Sequence, residues 1–418
     1  MNSSPARPSL FDPITINGVT IRNRIVKSAM AEGLADAGGR PTPALIDLYR
    51  RWARGGVGLA ITGMTYIDPR FSFTDRELGL YDDALVAPLR ALTDAVHEHE
   101  GRVFAQLNHA PPQIPRAKAV AHGPRAASWG LCRTNFTLGR PYSDAELRAV
   151  VRAFAAAAGR ARDAGFDGVQ LHAAHGYLLS RFLSPRHNRR RDRWGGDFEG
   201  RLALLRETLA AVRAEVGPAY PVAIKLNAHD GAAGGLELED ALRVARRLEA
   251  EALLDAVEVS AGTADVGLGF YPNRGGIPLD LTDRFLGAEL PLLRPLLPLL
   301  RPLFWRAAEQ VALRQEAYFL PEARRFAAEL RVPVICVGGI RSRAVAEQIL
   351  AETSVAMVSL ARPLVRQPAL PRAWQRGSSL QAACSSCNRC FVQIGLDQPL
   401  RCWSRRGGER DGGDDSVS

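Results

Sequence analysis

The stretch "VPVICVGGI" (332–340) is apolar at nearly every position and ends on two glycines. It runs into a helical pattern, "RSRAVAEQIL" (341–350), and then into a second apolar run, "SVAMVSLARPLV" (354–365). A strand apolar on both faces is buried on both faces, as strands of a parallel sheet covered by helices are. The same unit recurs upstream. "RIVKSAM" (24–30) precedes "PALIDLYRRWARGG" (43–56), "VGLAITG" (57–63) precedes "ALVAPLRALTDAVHEHEG" (84–101), and "RVFAQLNHA" (102–110) precedes "SDAELRAVVRAFAAAAGRARDAG" (143–165). "FDGVQLHAAHG" (166–176), "PVAIKLNAHD" (221–230) and "DAVEVSAG" (255–262) continue the series, each with a helical stretch after it. Eight strands alternating with helices imply right-handed parallel crossovers. They predict an α/β fold, a (β/α)8 TIM barrel, with working residues at the strands' C-terminal ends. An open doubly wound sheet would want an early G-x-G-x-x-G after a strand, and none is found. Ser143 and Glu146 form a capping-box pattern at one helix start, and Gly165 suits that helix's end.

With 418 residues, 46% hydrophobic and 23% charged, the chain buries enough core to need no disulfide or metal staple. Its net charge of +10 comes from 54 Lys+Arg against 44 Asp+Glu. The excess is dispersed arginine without an aromatic-interleaved stripe, so no nucleic-acid partner is expected, although a phosphate-bearing ligand could exploit the field. Of six cysteines, Cys384, Cys387, Cys390 and Cys402 crowd the C-terminus, away from Cys132 and Cys336, which argues against a distributed disulfide framework. "MNSSPARPSL" has no signal-type apolar core, and no run of ~18 uncharged apolar residues exists. A cytoplasmic protein without an integral membrane segment is expected.

The expected layout is a barrel over 1–375, a cysteine-rich segment over 376–404 and a disordered tail over 405–418. Two stretches interrupt the barrel's rhythm, about 111–142 and 263–316, and both are expected as long loop insertions over the C-terminal mouth. Within the second, Pro291, Pro295, Pro298 and Pro302 break "LPLLRPLLPLLRPLFW" (290–305). Its leucines, with Arg294 and Arg301, face the protein itself, a partner subunit or a membrane surface.

The strand ends gather amide, imidazole and cationic groups with few carboxylates. They are Ser28, Ala29 and Met30; Thr62 and Gly63; Gln106, Asn108 and His109; His172 and His175; Lys225 and Asn227; Gly338 and Gly339; and Ala361 and Arg362. The set suits a flat, polar-edged, anionic cofactor better than hydrolysis by paired acids. "VGGIRS" before a helix start, with Arg362 one strand along, makes a phosphate cradle of backbone N–H groups and a guanidinium. In "VQLHAAHGYLLSRFLSP" (169–185) an apolar run ends on His172 and His175, with Tyr177 two residues on. Three readings stand open. One is a metal site, which needs a third ligand such as His109. The others are packed structural histidines, or two N–H donors aimed at one substrate oxygen with Tyr177 as proton donor.

Over nearly its whole length the chain resembles the Old Yellow Enzyme family of FMN-dependent ene-reductases (NADH:flavin oxidoreductases). The matching stretches are "LFDPITING", "IRNRIVKSAM", "GGVGLAITG", "AQLNHA", "AGFDGVQLHAAHGYLLSRFLSP", "NRRRDRWGGDFEGR", "VGGIRS" and "VSLARPLV". The resemblance implies FMN at the C-terminal mouth. Ser28, Ala29, Met30, Ala31 and Met64 would line the flavin, Gln106 would bond its pyrimidine edge, and Lys225 would face the N1/C2 carbonyl side. Gly338, Gly339, Ala361 and Arg362 would hold the phosphate. His172 and His175 would bind a carbonyl oxygen and Tyr177 would protonate. NAD(P)H would reduce the flavin and leave, and an enone or related electrophilic alkene would follow it. A homo-oligomer is the expected assembly.

Three positions depart from the family. Lys225 stands where arginine is usual, which keeps the charge and loses the planar fork. Ala31 replaces a cysteine or threonine that tunes the flavin potential, and Gly33 replaces a substrate-binding tyrosine of one branch. "CSSCNRC" with Cys402 spaces thiols as C-x₂-C-x₂-C-x₁₁-C. This is similar to the iron–sulfur segment of the dienoyl-CoA reductase and trimethylamine dehydrogenase branch, which has one more residue between the second and third cysteines. That branch usually continues into a second nucleotide-binding domain, which is not found before Ser418. Four thiolates suit [4Fe–4S] or zinc, and the altered spacing with no following domain favours neither. The competing expectations are thus an iron–sulfur flavoprotein dehydrogenase, demethylase or dienoyl-CoA reductase-like enzyme, and a barrel that has lost FMN and serves as a scaffold.

Overall fold

A computed structural model describes residues 8–263 and 315–404 continuously, with isolated positions between them. Eight strands form the centre: β1 (Ile25–Lys27), β2 (Leu59–Tyr66), β3 (Arg102–Asn108), β4 (Gly168–Ala173), β5 (Val222–Asn227), β6 (Ala256–Ser260), β7 (Val334–Val337) and β8 (Met357–Leu360). Each pairs in parallel with the next, and β8 pairs with β1, closing the expected (β/α)8 barrel. Helices α1 (Pro43–Arg54), α2 (Val86–His97), α3 (Asp144–Asp163), α4 (Phe198–Val216), α5 (Leu238–Ala250), α6 (Leu320–Glu329) and α7 (Arg343–Glu352) cover it. The capping box is present at the start of α3, where Ser143 and Glu146 bond each other's backbone N–H.

β2 runs past its expected end at Thr62 and Gly63. Its register with β3 shifts between Ile61 and Met64. A bulge there absorbs the small residues and lets the strand continue. Gly63 gives its N–H to Glu32 Oε1 at 2.8 Å.

The lower half of the barrel interior is apolar. Val26, Leu59, Ile61, Phe104, Ala223, Ala256, Ile335 and Met357 pack on Ile16 and Ile21. Those two isoleucines belong to a hairpin of Ile14–Ile16 and Val19–Ile21 that plugs the strands' N-terminal end. Further along the strands the buried inward residues turn polar: Gln106, Gln170, Lys225, Glu258 and Ser359. The plug therefore puts the chemistry at the other end.

The insertion at 111–142 is not irregular throughout. It carries a short helix, Arg116–His122, and a small sheet of Arg125–Ala126, Gly130–Cys132 and Thr137–Pro141. Its Pro and Gly content hides elements too short to show a period. The run 290–305, apart from isolated positions, and the tail 405–418 lie outside the described residues. The cysteine-rich segment contains one helix, Arg389–Ile394, and is tied down by Ala382 N–H to Arg341 O and Leu400 N–H to Glu32 O, both 2.7 Å. Among the described residues no helix is long and apolar enough to cross a membrane.

Candidate active site

A single cavity at the C-terminal mouth brings together every flavin and substrate position named from sequence. Ser28, Ala29, Met30, Ala31, Met64, Gln106, His172, His175, Tyr177, Lys225, Gly338, Gly339, Ala361 and Arg362 all line it. Strand alternation and register do this. β3 sets Gln106 beside Gln170, β5 sets Lys225 beside both His172 and Glu258, and all point inward.

One side of the cavity is a buried polar layer. Gln106 Nε2 donates to Gln170 Oε1 at 2.7 Å, and Gln170 Nε2 donates to Glu258 Oε2 at 2.9 Å. Ser28 and Ser359 hydroxyls each donate to Glu258 Oε1 at 2.8 Å. Lys225 Nζ donates to Ser28 Oγ at 3.0 Å and lies 3.1 Å from Glu258 Oε2. Burial pushes the Glu258 carboxyl up, but the Lys225 ammonium and the three donors outweigh it and hold it below the ordinary carboxylate range. On the side of β1 that faces α1 lies a second buried pair, Lys27 Nζ with Glu32 Oε1 at 3.2 Å, the ammonium 4.3 Å from the centroid of the Trp52 ring.

The imidazoles form the next wall. The His172 and His175 rings lie 5.0 Å apart and nearly perpendicular, and Tyr177 meets His172 edge to face. The Ala174 N–H donates to His172 Nδ1 at 3.3 Å, so Nε2 carries that ring's proton. His175 Nε2 is 2.8 Å from Ser260 Oγ. His175 has φ +63, a left-handed position for a non-glycine, and is pinned on both sides of its backbone. Its N–H donates to Asn227 Oδ1 at 3.2 Å, and its carbonyl accepts from Gln113 Nε2 at 2.8 Å. Burial, with the Lys225 charge adding to it and His175 adding further at His172, drives both imidazoles to the neutral form, His172 well below its ordinary value and His175 down to about 3. Two neutral N–H donors can hold an oxygen that gains charge.

Among the described residues the pair gains no third metal ligand, and His109 is not in this cavity. It is buried, with Nε2 2.9 Å from the Tyr142 hydroxyl and its ring 5.2 Å from Phe71.

At the far side, Gly338 and Gly339 have φ +128 and +71, and a Cβ on either would sit within 2.9 and 2.7 Å of the Tyr318 ring. Only glycine fits that turn. Arg362 begins a short helix, Arg362–Arg366, and donates to Asn388 Oδ1. An apolar wall of Ala29, Met30, Ala31 and Met64, an amide and ammonium at one edge, and a glycine turn with a guanidinium at the other fit a planar flavin with a phosphate tail. Gln106 and Lys225 would hold its ring edge, and Gly338, Gly339 and Arg362 its phosphate.

Cys384, Cys387, Cys390 and Cys402 face one small adjoining cavity together with Arg362 and Arg366. Arg366 Nη1 is 3.3 Å from Cys402 Sγ. Burial pushes the Cys390 thiol up to about 12; the other three cysteines add to this and Arg362 opposes it. Among the described residues no group of three or more His, Cys, Asp or Glu is arranged to hold a metal ion. The thiols converge, but as placed they are not a single-ion site such as zinc needs.

Sequence reading missed Glu258, Gln170 and Ser260, and the contributions of Gln113, Thr134, Ser386 and Phe391 to the cavity. The first three carried a signal: a polar residue at every second place in an otherwise apolar strand, as in "VEVS" and "VQLH". The others come from the 111–142 insertion and the cysteine-rich segment, whose elements are too short to show a period.

Residues 9–263 match the model of the NADH:flavin oxidoreductase / NADH oxidase family. The chain is 34% identical over 394 residues to the 4,4'-dithiodibutanoate disulfide reductase of Rhodococcus erythropolis, spanning 94% of each. It is 33% identical over 396 residues to the NADH oxidase of Thermoanaerobacter brockii, covering 94% of this chain but 55% of that one. In three dimensions it is similar to the old yellow enzyme homologue from Zymomonas mobilis. The TM-score is 0.68 at 24% identity, over 91% of this chain and 96% of that one.

Proposed function

The chain belongs to the NADH:flavin oxidoreductase / NADH oxidase family, that of the Old Yellow Enzymes, and from that premise we propose that it reduces the C=C bond of α,β-unsaturated carbonyl compounds. It is an FMN oxidoreductase with NAD(P)H as electron donor. FMN, when bound, supplies the hydride chemistry.

The chain's own residues supply position and charge. Gln106 and Lys225 hold the polar ring edge, and Gly338, Gly339 and Arg362 hold the phosphate. His172 and His175 donate N–H groups to the substrate carbonyl oxygen, which draws electron density from the alkene. The Tyr177 hydroxyl delivers the proton to Cα. The observation that carries this reading is the contact of three rings, His172, His175 and Tyr177, on the wall of the cavity that also holds Lys225.

Anaerobic reduction of the flavin by NADH or NADPH, followed by reoxidation with a panel of enones and dienoyl thioesters, tests it. A flavin that is reduced and then ignores every activated alkene overturns it. A second reading, disulfide reduction, is favoured by the Rhodococcus relative, which matches over 94% of both chains. Reoxidation by 4,4'-dithiodibutanoate in the same assay separates the two. The third, an iron–sulfur flavoprotein dehydrogenase, is favoured by the convergence of four thiols. Iron and acid-labile sulfide assays on anaerobically purified protein decide it.

A further inference from the structure

One carboxylate stands behind the polar side of the cavity. Glu258 is fully buried on β6, and the sequence reading gave it no part. Being ionised, it can only accept hydrogen bonds. Gln170 must therefore turn its NH₂ group to Glu258, which leaves its carbonyl for Gln106. Gln106 must then spend an N–H on that carbonyl, so the orientation of its amide is fixed two side chains away. The same carboxylate lies 3.1 Å from Lys225 Nζ and binds Ser28, which also accepts from Lys225. The nearest other buried charges, Lys27 and Glu32, already form a pair of their own. Lys225 and Glu258 thus form a closed ion pair, with no net charge left over from Lys225.

A cation at the ring edge stabilises a ring that gains negative charge on reduction. A carboxylate just behind that cation cancels most of the effect in a poorly screened interior. We propose that Glu258 is a positioning residue that sets the reduction potential of the bound flavin, holding it below the value Lys225 alone would impose and so favouring hydride donation. The proposal rests on the flavin reading above.

The test compares wild type, Glu258→Gln, Lys225→Met and the double variant, each loaded with FMN and equilibrated anaerobically with a redox dye of known potential. Glu258→Gln keeps shape and removes charge. It is expected to shift the reduced-to-oxidised ratio about 100-fold toward reduced, roughly 60 mV positive for a two-electron couple. Lys225→Met is expected to shift it the other way, and the double variant to return within about threefold of wild type. A wild-type potential in Glu258→Gln, or a double variant that matches Lys225→Met, overturns the inference. Should Glu258→Gln fail to fold, Glu258→Asp keeps the charge but draws it back from Lys225 by one methylene. It is expected to move the ratio the same way by about threefold, roughly 15 mV, and an unchanged ratio there overturns the inference equally. If wild type itself takes up no FMN, the flavin reading fails, and the fault is not Glu258's.

Discussion

The ring of Tyr177 stands edge to face on that of His172, centroids 4.8 Å apart and planes at 72°. The proposed proton donor and carbonyl clamp therefore share one wall of the cavity. Tyr177 is only 2% exposed and heads the short helix Leu178–Leu183 that follows the imidazoles.

Replacing His172 and His175 together with alanine is expected to cut enone reduction by about 10²–10³-fold, the usual cost of donors to a charge-gaining oxygen. Flavin absorbance per protein should stay at the wild-type level. Steady-state turnover and a visible spectrum check both halves of that statement.

Tyr177→Phe keeps the packing on His172 and removes the hydroxyl. Reoxidation of reduced flavin by an enone is expected to slow about 10²-fold, while reduction by NAD(P)H proceeds at the wild-type rate. Stopped-flow absorbance resolves the two half-reactions. Equal slowing of both would assign the tyrosine to architecture instead.

Arg362→Ala would remove the proposed charge-assisted contact to the phosphate, worth about 1.5–3 kcal/mol. The Kd for FMN is expected to rise roughly 10- to 150-fold, read by quenching of flavin fluorescence on titration with apoprotein. Riboflavin, which lacks the phosphate, should bind the variant and wild type alike.

Acid should weaken the fold through its buried imidazoles. His109, held down to about 4 by burial, and His175, held down to about 3, are neutral in the folded protein at pH values where the unfolded chain protonates them. The unfolded state then binds more protons, so this contribution is complete above pH ~6.5 and is lost as pH falls below it. Each such histidine costs about 1.4 kcal/mol per pH unit between ~6.5 and its folded value. Urea midpoints from pH 7.5 to 4.5 measure the slope, and His175→Asn is expected to make it shallower. A flat profile would mean that these rings are already charged in the native state.

The barrel was legible because its strands are apolar runs, and the ends of those runs named the cavity's lining. What stayed hidden was pairing across the barrel. Ser28 and Glu258 are 230 residues apart, and only closure of β8 on β1 brings their strands to face one another across the interior. An acidic residue in "DAVEVSAG" looks like an exposed alternation until both faces of the strand are known to be covered. The bulge in β2 was hidden for a related reason: "ITGMTY" is continuous with strand preference, and Gly63 looks like a stop although Glu32 anchors it in place. His109 misled in the opposite sense. It closes a strand as the working residues do, yet its partners, Tyr142 and Phe71, draw it aside.

Ile16 and Ile21 give the vessel a stopper, so among the described residues the doorway lies at the opposite rim. Under the proposed function nicotinamide and oxidant would queue at that rim, the first departing before the second is admitted. Double-reciprocal velocity plots at several fixed oxidant concentrations should accordingly run parallel rather than converge.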